Sequence, residues 1–477
     1  MQSDTDKLTL KHIKWLIWLY FWLLIFEGTF RKWLLPQYSD VLLVIRDPVV
    51  LAIYCLALKA KVFPRNGYIL WLGIIGVLSW IVSLVVLEPY LSLKPLILVT
   101  GYGFRSNFVH LPLIFIMGNV LDLEDVKKLG WWILLGLIPM AVLLAVQFNA
   151  APDAFINRTA GIGETQQITA GGGKIRPPGT FSFVSGVIFY AAISAAYLLY
   201  GALTRGLYRN WLLFSAGLAL VVTIGVSGSR SVLLAVLVVI SSLLAIILVR
   251  PRAMNQFGRN LLIGVVVLLI VTRLPVFNEG VQILSDRFTV TAEAEEKTIA
   301  GGLFARLFIG FAEGFYLLGQ APIGGYGLGI GTNGGAKFLT GRAMFLLTEG
   351  EWGRVVLESG PILGFAYLLW RTLLTAKLGL LSFRKLARGE IFPIMLFAAG
   401  FVPLLNGQLG QPTNLGFAVF VCGLCLASMN KEETASETEL LEPAPPSRRH
   451  TARRSRYAER LHHSSAAPRH SDDSFGR

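Results

Sequence analysis

Apolar runs of about 20 residues recur along this chain and are mostly separated by short, basic loops. An α-helix rises about 1.5 Å per residue, so a run of that length crosses the hydrocarbon layer of a bilayer. Hydrophobic residues make up 54% of the 477 residues and charged residues only 15%, whereas a soluble domain carries about 25% charged residues. The sequence therefore predicts an all-α, polytopic membrane helix bundle.

About twelve of these runs are candidate transmembrane spans, all within residues 1–430. The second and fourth are the weakest, because Arg46, Asp47 and Arg105 fall in or beside them. With the N-terminus inside, the short cytoplasmic segments hold more than twice as many Lys and Arg residues as the exoplasmic loops, the largest loop being left out. Such a bias is typical of cytoplasmic loops, so we expect both termini in the cytoplasm.

Two exoplasmic loops, at about 148–180 and 273–356, are longer than ordinary connections between helices. The larger one separates the ninth and tenth predicted spans. It contains an apolar stripe at helical spacing, which predicts an amphipathic helix lying either on the outer membrane surface or against the bundle. The stripe consists of Phe304, Phe308, Phe311, Phe315 and Leu318.

The C-terminal tail, residues 431–477, is rich in Pro, Ser, Arg and His, and we expect it to be disordered in the cytoplasm. Its basic stretch suits contact with anionic membrane lipids.

The chain carries a formal charge of +14, but no basic face or binding motif accompanies it, so we do not predict nucleic-acid binding. Cys422 and Cys425 have the spacing of a metal or redox motif but lie in the last apolar run, so we interpret them as apolar filler. We predict no metal site and no cofactor.

A glycine-rich segment, Pro322 to Gly335, lies in the large loop. Gly329, Gly331 and Gly334 match the spacing of dinucleotide sites, but that motif requires a preceding strand and a βαβ unit. Here a predicted amphipathic helix precedes it, so we reject a nucleotide-binding fold. Two roles stay open, a close backbone approach to a ligand and a simple turn.

Charged residues cluster where the large loop leads into the tenth predicted span. Charges beside hydrocarbon are costly and are therefore usually paired or functional, and both interpretations stay open for this cluster. It consists of Glu349, Glu351, Arg354 and Glu358.

Several arginines also fall on the predicted outer side of the membrane. Arginine binds phosphate in a forked geometry and keeps its charge, so the set suits a diphosphate in the outer leaflet. The alternative is that each arginine merely extends to the interface. The set consists of Arg105, Arg176, Arg230 and Arg306.

From about the fourth to the tenth span, the chain resembles the O-antigen ligase and polymerase superfamily of bacterial surface-glycan enzymes. The resemblance rests on the span count, the position of the large loop and four short patterns in the same order. These are Arg176-Pro-Pro-Gly-Thr-Phe, Ser229-Arg230-Ser231, Arg306 followed by Pro322 through Gly329, and Leu357-Glu358-Ser-Gly-Pro-Ile-Leu-Gly364.

This resemblance implies a metal-independent, inverting glycosyltransferase on the outer face of the bacterial plasma membrane. The donor would be a glycan on undecaprenyl diphosphate and the acceptor a glycan or a lipid. Arg230 and Arg306 match the family's diphosphate-binding arginines, and Arg176 and Arg105 are further candidates for that role.

The ligases of this superfamily have a histidine nine residues before the Glu of the Glu-x-Gly pattern, and this chain has Glu349 there. A polymerase or a divergent transferase is therefore favoured over a ligase. Glu349 or Glu351 would take the proton of the attacking hydroxyl, with Arg354 and Glu358 in support. His110 is a weaker candidate base, because it lies in or beside a span.

Two other functions fit a chain with about twelve spans. A secondary transporter is disfavoured because we see no two similar halves, and transport leaves the large loop unexplained. A lipid-oligosaccharide flippase would need charged residues through the membrane midplane, and most predicted spans lack them. Sugar identity, linkage and the choice between polymerase and ligase stay open.

Overall fold

The computed structural model describes residues 4–161, 167–249, 310–342 and 344–430. These residues are mostly helical, with one small β-hairpin, as predicted for an all-α membrane protein. Six helices in them are long and apolar enough to cross a membrane: Lys7–Leu34, Pro36–Lys59, Gly67–Leu87, Leu123–Asn149, Val184–Leu203 and Arg230–Val249. The predicted count of about twelve spans and the exoplasmic position of the large loop stay predictions. The C-terminal tail and Arg306 lie outside the described residues.

The helices of the described residues define the labels used below. In chain order, they are α1 (Asp4–Thr29), α2 (Ser39–Leu42), α3 (Asp47–Lys59), α4 (Gly67–Leu87), α5 (Leu93–Phe104), α6 (Leu113–Val120), α7 (Leu123–Asn149), α8 (Val184–Leu203), α9 (Asn210–Val226), α10 (Arg230–Val249), α11 (Asn333–Thr340), α12 (Glu351–Arg388), α13 (Phe392–Asn406) and α14 (Pro412–Ala427). Residues 310–318 are helical as well. Strands β1 (Thr169–Gly171) and β2 (Lys174–Ile175) pair antiparallel.

The core lies around α14, which is buried along almost its whole length and packs against α6, α8 and α13. Its small and apolar residues allow these neighbours to approach closely. Cys422 and Cys425 are buried here, as expected for small apolar residues of the core, and neither forms a disulfide. The side chains of α4 and α10 that point away from the bundle are exposed and apolar, which suits contact with lipid.

The fourth predicted span is not one continuous α-helix. The chain forms α5, then a π-helical turn at Arg105–Val109, and then the short helix α6. Single π-helical turns occur frequently at functional sites. This one contains Arg105, whose Nε donates to Asp47 Oδ2 at 2.7 Å. His110 follows the turn, is fully buried, and contacts Asp47 Oδ1 through Nε2 at 2.8 Å.

The helix α12 contains a sharp break at Gly360, where φ is +77° and ψ is 172°. Only glycine adopts this backbone conformation readily. Pro361 follows and cannot donate a backbone hydrogen bond, which also ends a helix. Residues 351–359 therefore form a separate helical arm that returns along the start of the longer part of α12.

Candidate functional site

The glycine-rich segment forms a turn that packs against the break in α12. Tyr326 N donates to Leu357 O at 2.7 Å, and Gly327 N donates to Glu358 O at 3.0 Å. A Cβ on Gly325, where φ is +70°, would lie 2.3 Å from Glu358 O. Of the two roles left open by the sequence, the described residues fit the turn, because the close backbone approach is made to the bundle itself.

Glu351 lies at the start of the helical arm and is 2% exposed. Its Oε2 accepts from Arg354 Nε at 2.9 Å, and its Oε1 accepts from Arg371 Nη1 at 2.6 Å. The backbone of Leu409 donates to Oε1 as well, at 3.2 Å. Two arginines and an amide thus hold Glu351 as a buried, fully bonded carboxylate.

Arg354 carries the network further into the bundle. Its Nη1 donates to Glu358 Oε2 at 2.6 Å, and its Nη2 donates to Asn107 Oδ1 at 2.9 Å. The other oxygen of Glu358 accepts from Gly331 N in the glycine-rich turn, at 2.8 Å. Buried charges are tolerated when their hydrogen bonds are satisfied in this way, so the described geometry favours the structural interpretation for Arg354 and Glu358.

A cavity of about 580 Å³ opens beside this network and is called the α8–α10 pocket below. Its walls come from α8, α10, α13, the start of α14, the helical arm and residues 310–318. The apolar part of the lining consists of Ile188, Phe189, Ala192, Leu234, Ala235, Val238, Ala398, Ala399, Val402 and Pro403, with Gly310, Gly350 and Gly407 completing the wall. The polar part consists of Ser185, Ser231, Glu313, Glu349, Glu351, Asn406, Gln408 and Asn414.

The polar and apolar linings lie at different levels of the bundle. Ser185 is the second residue of α8, Ser231 the second of α10 and Asn414 the third of α14, while Asn406 is the last of α13. The apolar lining residues of α8 and α10 follow one to two turns further along the same helices. The pocket is therefore polar at one end of the bundle and apolar along the helices behind it.

Glu349 stands at the polar end and is exposed. Its backbone carbonyl accepts from Gln408 Nε2 at 2.6 Å, which fixes the chain at this point. Within the described part of the protein, no ion pair involves its carboxylate. Glu349 is therefore exposed and has no ion pair among the described residues, whereas Glu351 is buried and paired with two arginines. From the sequence alone, both residues are candidate bases.

Two buried polar atoms at the polar end lack a hydrogen-bond partner within the described residues. These are Ser185 Oγ and Asn414 Oδ1, on residues that are 8% and 5% exposed. Leaving such an atom unsatisfied costs about 1–3 kcal/mol. Other buried side chains of the described residues also carry unpartnered atoms, but these two belong to residues that line the α8–α10 pocket, where a ligand can supply the missing hydrogen bonds. Sequence reasoning missed both, because a single Ser or Asn near a helix start is ordinary.

The predicted arginine set is only partly brought together. The β-hairpin places Arg176 against the turn between α9 and α10, where a Cβ on Gly228 would lie 3.9 Å from Arg176 Cγ. Arg230 begins α10 and directly precedes Ser231, which lines the pocket. Arg176 and Arg230 therefore belong to adjoining segments beside the polar end of the pocket.

Arg105 is not part of the described pocket lining. It is 6% exposed, and besides its bond to Asp47 it donates from Nη2 to Leu43 O at 3.2 Å. Its described contacts join α3 to the π-helical turn, which is a structural role. Arg306 lies outside the described residues, so its predicted role in binding diphosphate stays a prediction.

A second buried charge network was missed by sequence reasoning. Glu27 in α1 pairs with Arg31 at 3.2 Å and with Arg46 at 3.3 Å. Arg31 also donates to Ser182 Oγ at 3.0 Å, and Lys32 Nζ donates to Gly179 O at 2.5 Å. These bonds connect the Arg176–Phe181 pattern and the residue after it to the π-helical turn Phe30–Leu34, which directly follows α1. An acidic residue within the first apolar run was the available signal, since such residues are usually paired.

The described part of the predicted phenylalanine stripe packs against the bundle. The rings of Phe311 and Trp352 lie 4.4 Å apart in an edge-on arrangement, and Phe315 lies 6.0 Å from Trp352 and 6.4 Å from Phe365. Of the two positions left open by the pattern, residues 310–318 occupy the one against the helical arm. Phe304 and Phe308 lie outside the described residues.

No protein-family model matches this chain, and a search of curated proteins finds no relative.

Proposed function

We propose that this protein is a membrane glycosyltransferase that polymerises or ligates a glycan carried on undecaprenyl diphosphate. The proposal includes about twelve spans, cytoplasmic termini and a position in the bacterial plasma membrane with the active site on its outer face. It also includes membership of the O-antigen ligase and polymerase superfamily, on the motif resemblance given above. The partners are the lipid-linked glycan, the surrounding lipids and a glycan or lipid acceptor.

The α8–α10 pocket is the observation that carries the proposal. A lipid-linked sugar has a long hydrocarbon chain and a strongly polar head, and such a molecule requires a site with apolar and polar parts in series. The pocket has this arrangement along α8 and α10. Its volume of about 580 Å³ lies in the range of ordinary small-ligand sites.

Glu349 is the better of the two candidate bases. Glu351 is held by Arg354 and Arg371, and removing it from those partners to accept a proton would leave buried charges unpaired. Glu349 is exposed at the polar end and carries no such pairs within the described residues. A general base must reach the proton that it takes, and an exposed side chain at the pocket rim satisfies this requirement.

The proposed step is a direct displacement at the anomeric carbon. A sugar hydroxyl of the acceptor attacks that carbon, a new carbon–oxygen bond forms, and the bond from carbon to the diphosphate oxygen breaks. The hydroxyl proton goes to Glu349 and the electron pair leaves with the diphosphate. Arg230 and Arg176, with Arg306, would stabilise the leaving charge, an electrostatic contribution that is often the largest one in transfer reactions.

Reconstitution in liposomes tests this function. Purified protein is supplied with undecaprenyl-diphosphate oligosaccharide, and glycan length and released lipid diphosphate are followed together. Longer or transferred glycan with stoichiometric release of the lipid diphosphate, lost in Arg230→Ala and Arg306→Ala, supports the proposal. Movement of intact donor across the bilayer without a new glycosidic bond would reject the transferase and favour a flippase.

A further inference from the structure

The polar end of the α8–α10 pocket combines two features that go beyond the single base that the proposed reaction requires. The first is the pair of buried, unpartnered polar atoms, Ser185 Oγ and Asn414 Oδ1. The second is an excess of negative charge, since Glu313 and Glu349 line the pocket and no Lys, Arg or His is among its described lining residues. Both features concern what the polar end binds.

The two unpartnered atoms call for a ligand with hydroxyl or amide groups. The amide oxygen of Asn414 only accepts hydrogen bonds, and the Ser185 hydroxyl both donates and accepts. Ser185 belongs to α8 and Asn414 to α14, and both side chains line one cavity. A ring that carries several hydroxyl groups can satisfy two such atoms from different helices, whereas a hydrocarbon chain can satisfy neither.

The charge of the lining limits which rings fit. Glu351 is neutralised by Arg354 and Arg371, and Glu313 accepts from the hydroxyl of Thr348, which carries no charge. Among the described lining residues, Glu313 and Glu349 therefore give the polar end an excess of negative charge, while Arg176 and Arg230 lie beside it on adjoining segments. The starts of nearby helices contribute partial positive charge, but this effect acts along the helix axis and falls off within the first turn. Like charges in a partly enclosed site repel strongly.

We propose that the polar end of the α8–α10 pocket binds an uncharged or amino-bearing sugar ring and rejects acidic sugars. This inference rests on the proposed function, because it assigns the sugar that sits beside Glu349. The diphosphate is held apart from it, on the side of Arg176 and Arg230. The pocket is thus a selectivity site for the glycan and not an anion site.

Sugar binding can be measured without any transfer reaction. The full-length protein in lipid nanodiscs is examined by saturation-transfer difference NMR with N-acetylglucosamine, glucosamine and glucuronate as separate probes. We expect saturation transfer to the first two probes and none to glucuronate. Loss of one hydrogen-bonding atom should weaken binding about tenfold, so Asn414→Leu and Ser185→Ala should each reduce the signal strongly.

Matched variants separate the effect of the pocket side chains and their charge from a general loss of folding. Asn149→Leu removes an exposed asparagine at the end of α7, outside the pocket lining, and should leave sugar binding unchanged. The double variant Glu313→Gln, Glu349→Gln should admit glucuronate. Equal binding of glucuronate and N-acetylglucosamine to the wild type, or undiminished binding by a folded Asn414→Leu variant, overturns the inference.

The outcomes also distinguish this inference from the proposed function. Selective sugar binding without any glycan transfer in liposomes would retain the selectivity site and reject the transferase. Glycan transfer by a protein that binds glucuronate as well as neutral sugars would retain the transferase and reject the selectivity site.

Discussion

Arg371 Nη1 donates to Glu351 Oε1 at 2.6 Å and joins two parts of α12 that lie 20 residues apart. In a straight helix, residues at that separation lie about 30 Å apart. The contact therefore depends on the break at Gly360, which returns the helical arm along the longer part of α12. Arg371 also donates to the carbonyls of Leu404 and Gly407, so one side chain fixes the arm, α12 and the end of α13 together.

Arg371→Met should destabilise the protein strongly. The substitution leaves the Glu351 carboxylate short of one of its two arginines and leaves two buried carbonyls without their donor. Breaking a buried pair in this way costs about 3–5 kcal/mol. Equilibrium unfolding in mixed micelles measures the loss. The matched change Lys385→Met breaks the more exposed pair with Glu390 and should cost less than about 1 kcal/mol; equal losses would contradict the structural role of Arg371.

Gly360→Ala should be destabilising as well, for a reason that lies in the backbone. The conformation of Gly360 costs other residues on the order of 1–3 kcal/mol, and a Cβ there would lie 2.1 Å from Ile323 O. Gly73→Ala in α4 is the control, because a Cβ at Gly73 meets nothing within 4 Å. That change should be neutral or stabilising by up to about 1 kcal/mol. Thermal unfolding of both variants measures the difference, and a stable Gly360→Ala protein would show that the break is not required.

Asp122, which precedes α7 and lies outside the candidate spans, should contribute pH-dependent stability. Burial by itself raises the pKa of Asp122, but hydrogen bonds from Lys14 and from the backbone of Asp125 outweigh it, so the pKa lies below its ordinary value of 3.8. A carboxyl with a lowered folded-state pKa stabilises the fold above its unfolded pKa and loses that effect as the pH falls through the folded value.

The measurement is the stability of Asp122→Asn against wild type as a function of pH. We expect a constant difference above about pH 5 that shrinks as the pH falls below the ordinary pKa of 3.8. The Asp122 side chain is half-exposed, so the difference should stay below about 1 kcal/mol. A difference that grows on acidification would contradict the pairing with Lys14.

The parts of the structure that the sequence predicted are those carried by short-range patterns. Apolar run length predicted helices long and apolar enough to cross a membrane, and the described residues contain six. The glycines from Pro322 onward indicated an irregular segment but left its role open between a turn and a close approach to a ligand. Arg354 and Glu358 stand four residues apart, a spacing that places side chains together on one helix face, so their pairing was open to prediction. The phenylalanine spacing predicted the helix that includes residues 310–318.

The features that the sequence did not predict depend on contacts between segments that are distant along the chain. Arg371 lies inside an apolar run, and nothing in the local sequence indicates that Glu351 is its partner. The contact forms only after Gly360 bends the chain. Likewise, Asn414 and Ser185 become a pair of unpartnered atoms only when α8 and α14 enclose the same cavity. Spacing along one helix cannot predict this, because burial is a property of the packed bundle.

Glu349 should behave as a base that histidine can replace. Glu349→Gln keeps the size and hydrogen bonding of the side chain but cannot accept a proton at neutral pH, so glycan transfer should fall by at least about 10²-fold. Glu349→His should recover part of that loss, since histidine is the commonest general base. Glu390→Gln, just beyond the C-terminal end of α12, is the control and should be active. Full activity of Glu349→Gln would remove Glu349 from this role.

The most direct test of the account is glycan transfer in liposomes after the α8–α10 pocket has been filled. Ala235 lines the pocket, whereas Leu237 on the same helix is 43% exposed. Ala235→Trp should reduce transfer by at least about tenfold, equivalent to roughly 1.4 kcal/mol of transition-state stabilisation, and Leu237→Trp should leave it unchanged. Ala398→Phe fills the pocket from α13 and should repeat the loss if Ala235→Trp does not fold. Folded Ala235→Trp or Ala398→Phe proteins with full activity would contradict the account, because the reaction would then take place elsewhere.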